Sequence, residues 1–319
     1  DAQTILSSKH WANDGFFYSK FLAIPIGYSK TVRYLDDSQM RRHAHGTVTG
    51  GLIGQRLYYT HYPSGYSLPY AVFMKLGIWQ RHWFRLFALT LSLGSIILMY
   101  LFINLISNKK TAIFGSIYYG ISTTFLGYAD SLANQPIDDL LRFAILSLSF
   151  YVVSRSDGTK KRYFFNSLIW VLYFILALSS YDSTLFIFIW LVGLEIILLK
   201  KILWKKWLFF ASAPAFGFIL QMFQNWWYLG NWKDVWLDAF GASTAKMQTG
   251  SVLAHFWSAF RVLDLASGIS IAGSVVIIAI MVFLMFYLQK EKMKTFSGFA
   301  GLLFLAGLAY PFVFVGSGG

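Results

Sequence analysis

Eight long apolar stretches dominate the sequence and limit what the chain can fold into. They lie near 83–106, 111–129, 137–153, 163–180, 184–200, 208–224, 269–289 and 297–315. A helix of about 20 apolar residues crosses the ~30 Å hydrocarbon core of a bilayer. In lipid the backbone can satisfy its polar groups only within helices or a closed barrel. Because the runs are continuous rather than alternating, the sequence predicts an all-α, polytopic membrane helix bundle with about eight spans.

The composition agrees with a protein that lies in a lipid bilayer. Of the 319 residues, 56% are hydrophobic and only 13% are charged, whereas soluble domains carry roughly a quarter charged residues. The chain has no cysteine, which excludes a disulfide framework, a cysteine zinc site and a cysteine nucleophile.

Basic residues are concentrated in every second loop. Thirteen of the 27 Lys and Arg residues fall in four loops, at 109–110, 155–162, 200–207 and 289–294. Cytoplasmic loops of membrane proteins carry such an excess, and 11 of the 14 acids fall on or beside the opposite side. The net charge of +13 therefore reports orientation, and we expect no nucleic-acid partner.

This orientation divides the chain into four parts. Residues 1–82 form a first extracytoplasmic loop, mostly helical and amphipathic, and 83–224 form a transmembrane core of six spans. Residues 225–268 form an extracytoplasmic loop with interfacial helices, and 269–319 add two further spans. Because no initiator Met, signal peptide or span precedes Asp1, we expect the chain to be incomplete at both ends.

Two residues of the first loop carry side chains suited to chemistry. Asp14 lies in the stretch HWANDGFFYS, and an extracytoplasmic carboxylate can act as a general base toward a hydroxyl or amine. His61 lies ahead of the first predicted span and could hold a phosphate, although a lone histidine is more often structural.

The second outer hairpin, at 127–145, concentrates acids around one arginine. Acids in the first turn of a helix are favoured by its dipole, which accounts for Asp138 and Asp139 without a function but leaves Asp130 unexplained. Arg142 lies about one turn into a predicted span, where a charge is costly. Its guanidinium could bind a phosphate through two parallel hydrogen bonds.

Two other features have a structural explanation that we favour. Glu195 lies inside a predicted span but toward its cytoplasmic half, away from the other acids, so we expect a structural ion pair. Tryptophans at 226, 227, 232 and 236 could stack on a sugar ring, but interface anchoring is the commoner role of such residues.

An ordered set of these features resembles a known family. Asp14 is followed by Tyr-x-x-x-Tyr-Pro at 58–63, by K-L-G-x-x-x-x-x-W-x-R-L at 75–86 and by the acidic second hairpin. This order resembles the GT-C glycosyltransferases of the protein O-mannosyltransferase and lipid A aminoarabinose transferase type, over roughly residues 11–200. The resemblance implies that a sugar is transferred from a polyprenyl-phosphate carrier to a glycan, lipid or protein acceptor, by direct inverting displacement.

The resemblance also implies roles for individual residues. Asp14 matches the first-loop acid that such enzymes place at the acceptor or at a metal, so it is the candidate catalytic residue and a candidate ligand of a divalent metal. His61 matches a basic residue that contacts the carrier phosphate, and Arg142 is a second candidate for that contact. The remaining candidates are a second acidic site, Asp130 and Asp138, and the substrate-loop aromatics Tyr58, Tyr59 and Tyr62. The expected location is a bacterial inner membrane with the active face extracytoplasmic.

One departure from the family pattern supports an alternative function. Relatives often carry Asp-Glu where this chain has Asp14 and Gly15, so the second carboxylate is missing. The alternative is a non-catalytic GT-C-like subunit or scaffold that binds other membrane subunits. A transporter is the weakest option, because matching halves with broken helices are not visible in the sequence.

Overall fold

The computed structural model describes residues 2–26, 52–53, 56–60, 63–155, 159–247, 298–299 and 301–303. Helices dominate these ranges: α1 Ala2–Asp14, α2 Leu68–Lys75, α3 Arg81–Ile106, α4 Lys109–Gly120, α5 Thr123–Tyr128, α6 Gln135–Arg155, α7 Thr159–Ala177, α8 Tyr181–Leu199, α9 Trp204–Leu229 and α10 Trp232–Met247. Three short strands, β1 Ala23–Ile26, β2 Leu52–Ile53 and β3 Arg56–Tyr59, form a small antiparallel sheet in the order β1-β3-β2. The predicted helical class is confirmed, and the sheet is an addition to it.

Two helices in the described part of the chain, α3 and α9, are long and apolar enough to cross a membrane. Each has 26 residues, which corresponds to a length of about 39 Å. Most of their apolar surface faces away from the protein, as expected for helices in lipid. The apolar segment of α8, Ser183–Leu199, is shorter.

The other predicted spans correspond less simply to helices. The stretch 111–129 is not one helix: α4 ends at Gly120, and the side chain of Ser122 caps α5 by accepting from the amide of Phe125 at 3.2 Å. The pieces have 12 and 6 residues, too short to cross a bilayer as straight helices. The stretches 137–153, 163–180 and 184–200 lie on α6, α7 and α8. The stretch 269–289 and most of 297–315 lie outside the described residues.

The helices from α3 to α9 run up and down, so that their ends form two faces of a bundle. Side-chain contacts fix the directions: Arg142 meets Ser183 and Ser149 meets Trp190 along parallel α6 and α8. Trp190, fully buried, lies at the centre of the core. The described basic residues at 109–110, 159–162 and 200–206 lie at one end of the bundle, here called the basic end.

The opposite end of the bundle is covered by the described residues of 2–80, here called the N-terminal layer. Its apolar contact with the bundle is a cluster formed by α2, α3 and the second hairpin: Tyr70, Met74, Phe84, Ala88 and Leu132, with Ile5 and Ala12 of α1 packed against it. This end of the bundle is called the layer end.

Hydrogen bonds hold the N-terminal layer on α9 and on the turn between α7 and α8. Gln221 and Asn225 of α9, both buried, donate to the carbonyl of Thr60 at 3.2 and 3.0 Å. The amide of Gly65 donates to the carbonyl of Leu178 at 2.8 Å. The layer therefore contacts the ends of both membrane-length helices.

Candidate functional site

Asp14 is the last residue of α1 and pairs with a histidine one turn earlier. Nδ1 of His10 lies 3.2 Å from Oδ2 of Asp14, and their side chains are 11% and 29% exposed. Gly15 follows with φ of +94°, a conformation that glycine adopts readily and that commonly ends a helix. The carboxylate is therefore oriented by His10 while part of it remains accessible to a substrate.

The segment that follows Asp14, residues 15–22, is held in a fixed conformation. Trp11 Nε1 donates to the carbonyl of Leu22 at 2.9 Å, and Ser64 Oγ donates to that of Phe21 at 2.6 Å. Lys20 and Phe21 have φ of +52° and +56°, which costs energy for residues other than glycine. Partial burial lowers the pKa of the Lys20 ammonium from its ordinary value.

Asp130 lies in the turn between α5 and α6. Its Oδ2 is 3.6 Å from Nη1 of Arg85, and both side chains are about half exposed, so this ion pair contributes little to stability. Leu132, two residues later, belongs to the same apolar cluster as Ala12. The hairpin that carries Asp130 and the helix that carries Asp14 therefore pack on the same apolar cluster.

Asp138 is placed differently from Asp130. It is buried at the start of α6, where Nδ2 of Asn134 donates to its Oδ2 at 2.8 Å. A buried carboxylate requires hydrogen bonds to offset the lost hydration. The two acids predicted as a second acidic site therefore have different surroundings: Asp130 faces solvent and Asp138 faces the interior.

Arg142 takes part in a polar network that joins four helices. Its Nη1 is 3.1 Å from Oδ1 of Asp139, and its Nη2 donates to Oγ of Ser183 at 2.7 Å. The hydroxyl of Tyr119 on α4 donates to Oδ2 of Asp139 at 2.6 Å and lies 3.4 Å from Oγ of Ser95 on α3. Arg142 thus forms an ion pair with the acid one turn before it on α6. Both terminal nitrogens of Arg142 already contact the protein.

Two of the remaining predicted residues are described by the structure. Tyr58 and Tyr59 belong to β3, with Tyr59 paired to Ala23 of β1, whereas His61 and Tyr62 lie outside the described residues. Thr60, which follows Tyr59, is held against α9 because its carbonyl accepts hydrogen bonds from Gln221 and Asn225.

A complete metal site is not formed by the residues that the structure describes. Within those ranges no group of three or more His, Asp or Glu side chains could hold an ion. The nearest arrangement is the pair of His10 and Asp14, two of the ligand types that divalent transition metals accept. His10 was missed in the sequence, although its spacing of four residues from Asp14 could have identified it once α1 was recognised.

The predicted structural ion pair of Glu195 is confirmed. It is 2% exposed, forms a salt bridge with Nζ of Lys206 at the basic end, and accepts from Nε1 of Trp207 at 3.0 Å. It lies at the opposite end of the bundle from Asp14 and has no part in the candidate site.

The candidate site therefore consists of His10 and Asp14 at the layer end, and the Asp130 hairpin shares an apolar cluster with α1. The Arg142 network lies at the same end of α6 and α8. Comparisons with protein-family models, with curated proteins and with solved structures give no match to this chain. The functional assignment accordingly depends on the residues of the site.

Proposed function

We propose that the protein is a membrane glycosyltransferase, GT-C-like with about eight spans, that transfers a sugar from a polyprenyl-phosphate carrier to an extracytoplasmic acceptor. The observation that supports this function is the oriented and partly accessible Asp14 carboxylate beside His10. It lies in the layer that covers the ends of α3 and α9, the two membrane-length helices. A lipid-linked donor needs a reactive group at such a boundary, because its tail stays in lipid while its sugar phosphate stays in water.

The proposed reaction assigns a separate task to each group. The acceptor oxygen or nitrogen forms a bond to the anomeric carbon as the bond from that carbon to the phosphate oxygen breaks. Asp14 accepts the proton of the acceptor, and the polyprenyl phosphate leaves with the bonding electrons. Attack opposite the leaving group inverts the anomeric carbon.

The departing phosphate needs cations or hydrogen-bond donors. His61 is the proposed donor in the first loop. Arg142 is the second, but it would have to bind phosphate while keeping its contacts with Asp139 and Ser183. A divalent metal would supply further positive charge, and Asp14 would then be one of its ligands instead of the base.

One observation favours the alternative function, a non-catalytic subunit of a larger membrane complex. The guanidinium of Arg142 is committed to Asp139 and Ser183, and it lies 5.6 Å from the ring centroid of Phe186. These contacts explain an arginine at this depth without a ligand. A scaffold that kept the fold and lost the phosphate contact would have this arrangement.

A transfer assay tests the proposed function. The full chain is reconstituted into liposomes with polyprenyl-phosphate mannose or polyprenyl-phosphate aminoarabinose and with glycan, lipid and peptide acceptors. Release of polyprenyl phosphate and labelling of an acceptor are measured. Asp14→Asn should lower transfer by about 10²–10⁴-fold, the usual contribution of general base catalysis.

The matched control is Asp234→Asn, because Asp234 lies in the first turn of α10 and bonds only within its own turn to Asn231. Undiminished transfer by Asp14→Asn would exclude Asp14 as the base. Absence of transfer with every donor, together with co-purification at fixed stoichiometry with other membrane proteins, would support the non-catalytic alternative.

A further inference from the structure

The segment 15–22 exposes two aromatic side chains beside the candidate acid. Phe17 and Tyr18 are 72% and 56% exposed, although the segment has a defined conformation. Its turns are closed by backbone hydrogen bonds from Ser19 to Gly15 and from Leu22 to Ser19. Phe16 and Phe21 stack on each other with ring planes 7° apart, with Trp11 against both edges. Phe17 and Tyr18 are thus presented outward by a rigid segment.

This segment packs against the end of a membrane-length helix. The ring of Phe17 lies 6.5 Å from that of Trp227, Lys20 Nζ lies 6.0 Å from the Tyr228 ring, and Leu22 packs against Tyr228. Trp227 and Tyr228 are the last aromatic residues of α9, which ends at Leu229. The segment therefore lies beside α9 at the height of Trp227.

Aromatic residues at both ends of α9 indicate what surrounds this level. Trp204 and Trp227 are both largely exposed and, at 1.5 Å per residue, lie about 35 Å apart along the helix. Amphipathic rings concentrate at the two interfaces of a bilayer, whose hydrocarbon core is ~30 Å thick. The spacing matches one aromatic residue at each interface.

The exposed residues of α9 from Leu208 to Phe223 are apolar. A cavity of about 470 Å³ lies open between α7 and α9, and the described residues that line it are all apolar: Trp170, Phe174, Phe216, Ile219, Leu220 and Phe223. A surface of this composition is stable against lipid tails but not against water. The lipid tails along this face would extend as far as Trp227 and Phe17, where the headgroups begin.

We propose that Phe17 and Tyr18 insert into the lipid interface at the layer end, so that the segment 15–22 anchors Asp14 at the depth of the lipid headgroups. The two side chains would contact lipid where the headgroups of that leaflet meet its acyl chains. Lys20 adds a cation beside Tyr228, on the side where lipid phosphates lie. This inference rests on the membrane placement in the proposed function, and it explains how an acid in the N-terminal layer could meet a carrier phosphate.

The absence of native cysteine allows a direct measurement of depth. Single cysteines replace Phe17, Lys9 or Ile97 in the full chain, and each is labelled with a nitroxide. The proteins are reconstituted into vesicles of phosphatidylcholine and phosphatidylglycerol. Collision of the label with oxygen, which partitions into lipid, is compared with collision with a water-soluble nickel chelate. Lys9 is exposed on α1 of the same layer, and Ile97 is 61% exposed in the middle of α3.

The expected result is that the label at 17 collides with oxygen severalfold more, relative to the nickel chelate, than the label at 9. The label at 97 should show the deepest lipid contact. If Phe17→Cys fails to reconstitute, Tyr18→Cys provides the same measurement. Suppose that the label at 17 collides with the chelate as often as the label at 9, while the label at 97 is in lipid. This result would overturn the inference but leave the proposed function in place.

Two further outcomes have separate meanings. A label at 17 that is shielded from both oxygen and the chelate indicates cover by protein, and it also overturns the inference. A label at 97 that reaches the chelate removes the membrane placement, and with it the proposed function.

Discussion

The hydroxyl of Tyr119 donates a hydrogen bond of 2.6 Å to the carboxylate of Asp139, and this bond connects the short helix α4 to α6. Asp139 also pairs with Arg142, so one carboxylate joins a phenol and a guanidinium. The predicted span 111–129 is interrupted directly after Tyr119. The bond therefore holds the end of a helix too short to cross a bilayer.

Replacement of Tyr119 by Phe should lower the thermal stability of the purified protein. The change removes one hydrogen bond to a charged acceptor, worth about 1.5–3 kcal/mol. Tm measured in detergent is the readout, with Tyr118→Phe as the matched control because Tyr118 is exposed on the same helix. Equal Tm values for the two variants would contradict a structural role for the bond.

Replacement of Arg142 by Lys separates a structural role from a phosphate-binding role. Lysine keeps the charge but lacks the planar fork that reaches Asp139 and Ser183 together. From the contacts at 3.1 and 2.7 Å we expect a fall in Tm. In a transfer assay, a rise in KM for the donor with an unchanged Tm would instead assign Arg142 to the carrier phosphate.

Loss of His10 should weaken catalysis less than loss of Asp14. In His10→Ala the carboxylate remains but is no longer oriented by the ring at 3.2 Å, so kcat should fall while KM for the acceptor is retained. The contact itself is partly exposed on the side of Asp14 and contributes about 1 kcal/mol or less to stability. Steady-state kinetics together with Tm test this point, and Lys9→Ala, an exposed change on the same helix, is the control. A fall in Tm of the size seen for a core substitution would mean that His10 is only structural.

Removal of one partner of the buried Glu195–Lys206 pair should cost more stability than removal of both partners. Lys206→Met leaves a carboxylate that is 2% exposed without its cation, which typically costs about 3–5 kcal/mol. The double change Glu195→Leu with Lys206→Met should recover most of that loss, since neither charge remains. Lys205→Met, an exposed neighbour, should leave Tm nearly unchanged. Failure of the double variant to recover Tm would show that the pair contributes more than mutual neutralisation.

Gly65 should be intolerant of a side chain because of its contact with the turn after α7. A Cβ at this position would lie 2.5 Å from the carbonyl oxygen of Leu178, so Gly65→Ala must displace the N-terminal layer or the turn. Overpacking of this kind typically costs about 1–3 kcal/mol. Gly127→Ala is the control, since no atom lies within 4 Å of a Cβ there. Tm and limited proteolysis of the layer are the measurements, and equal behaviour of the two variants would contradict the docking contact.

Sequence patterns relate only residues that are close together along the chain, and this limited how much of the site could be predicted. Asp14 could be recognised as an isolated acid in an aromatic stretch. Its pairing with His10 required knowledge that α1 is helical as far as Asp14, because only then do residues four apart share a face. Arg142 could be recognised as a costly charge within an apolar stretch, but Ser183 lies 41 residues away along the chain.

The sequence by itself determined the helical class, the apolar length of α3 and α9, and the concentration of basic residues at one end of the bundle. Each follows from composition and spacing within a short window, which local physical chemistry controls. The tertiary structure decided that Arg142 meets Ser183, that Tyr119 bonds to Asp139 beside the break in 111–129, and that segment 15–22 packs against the end of α9. These contacts join groups that are far apart in the chain and that come within bonding distance only after the helices have packed.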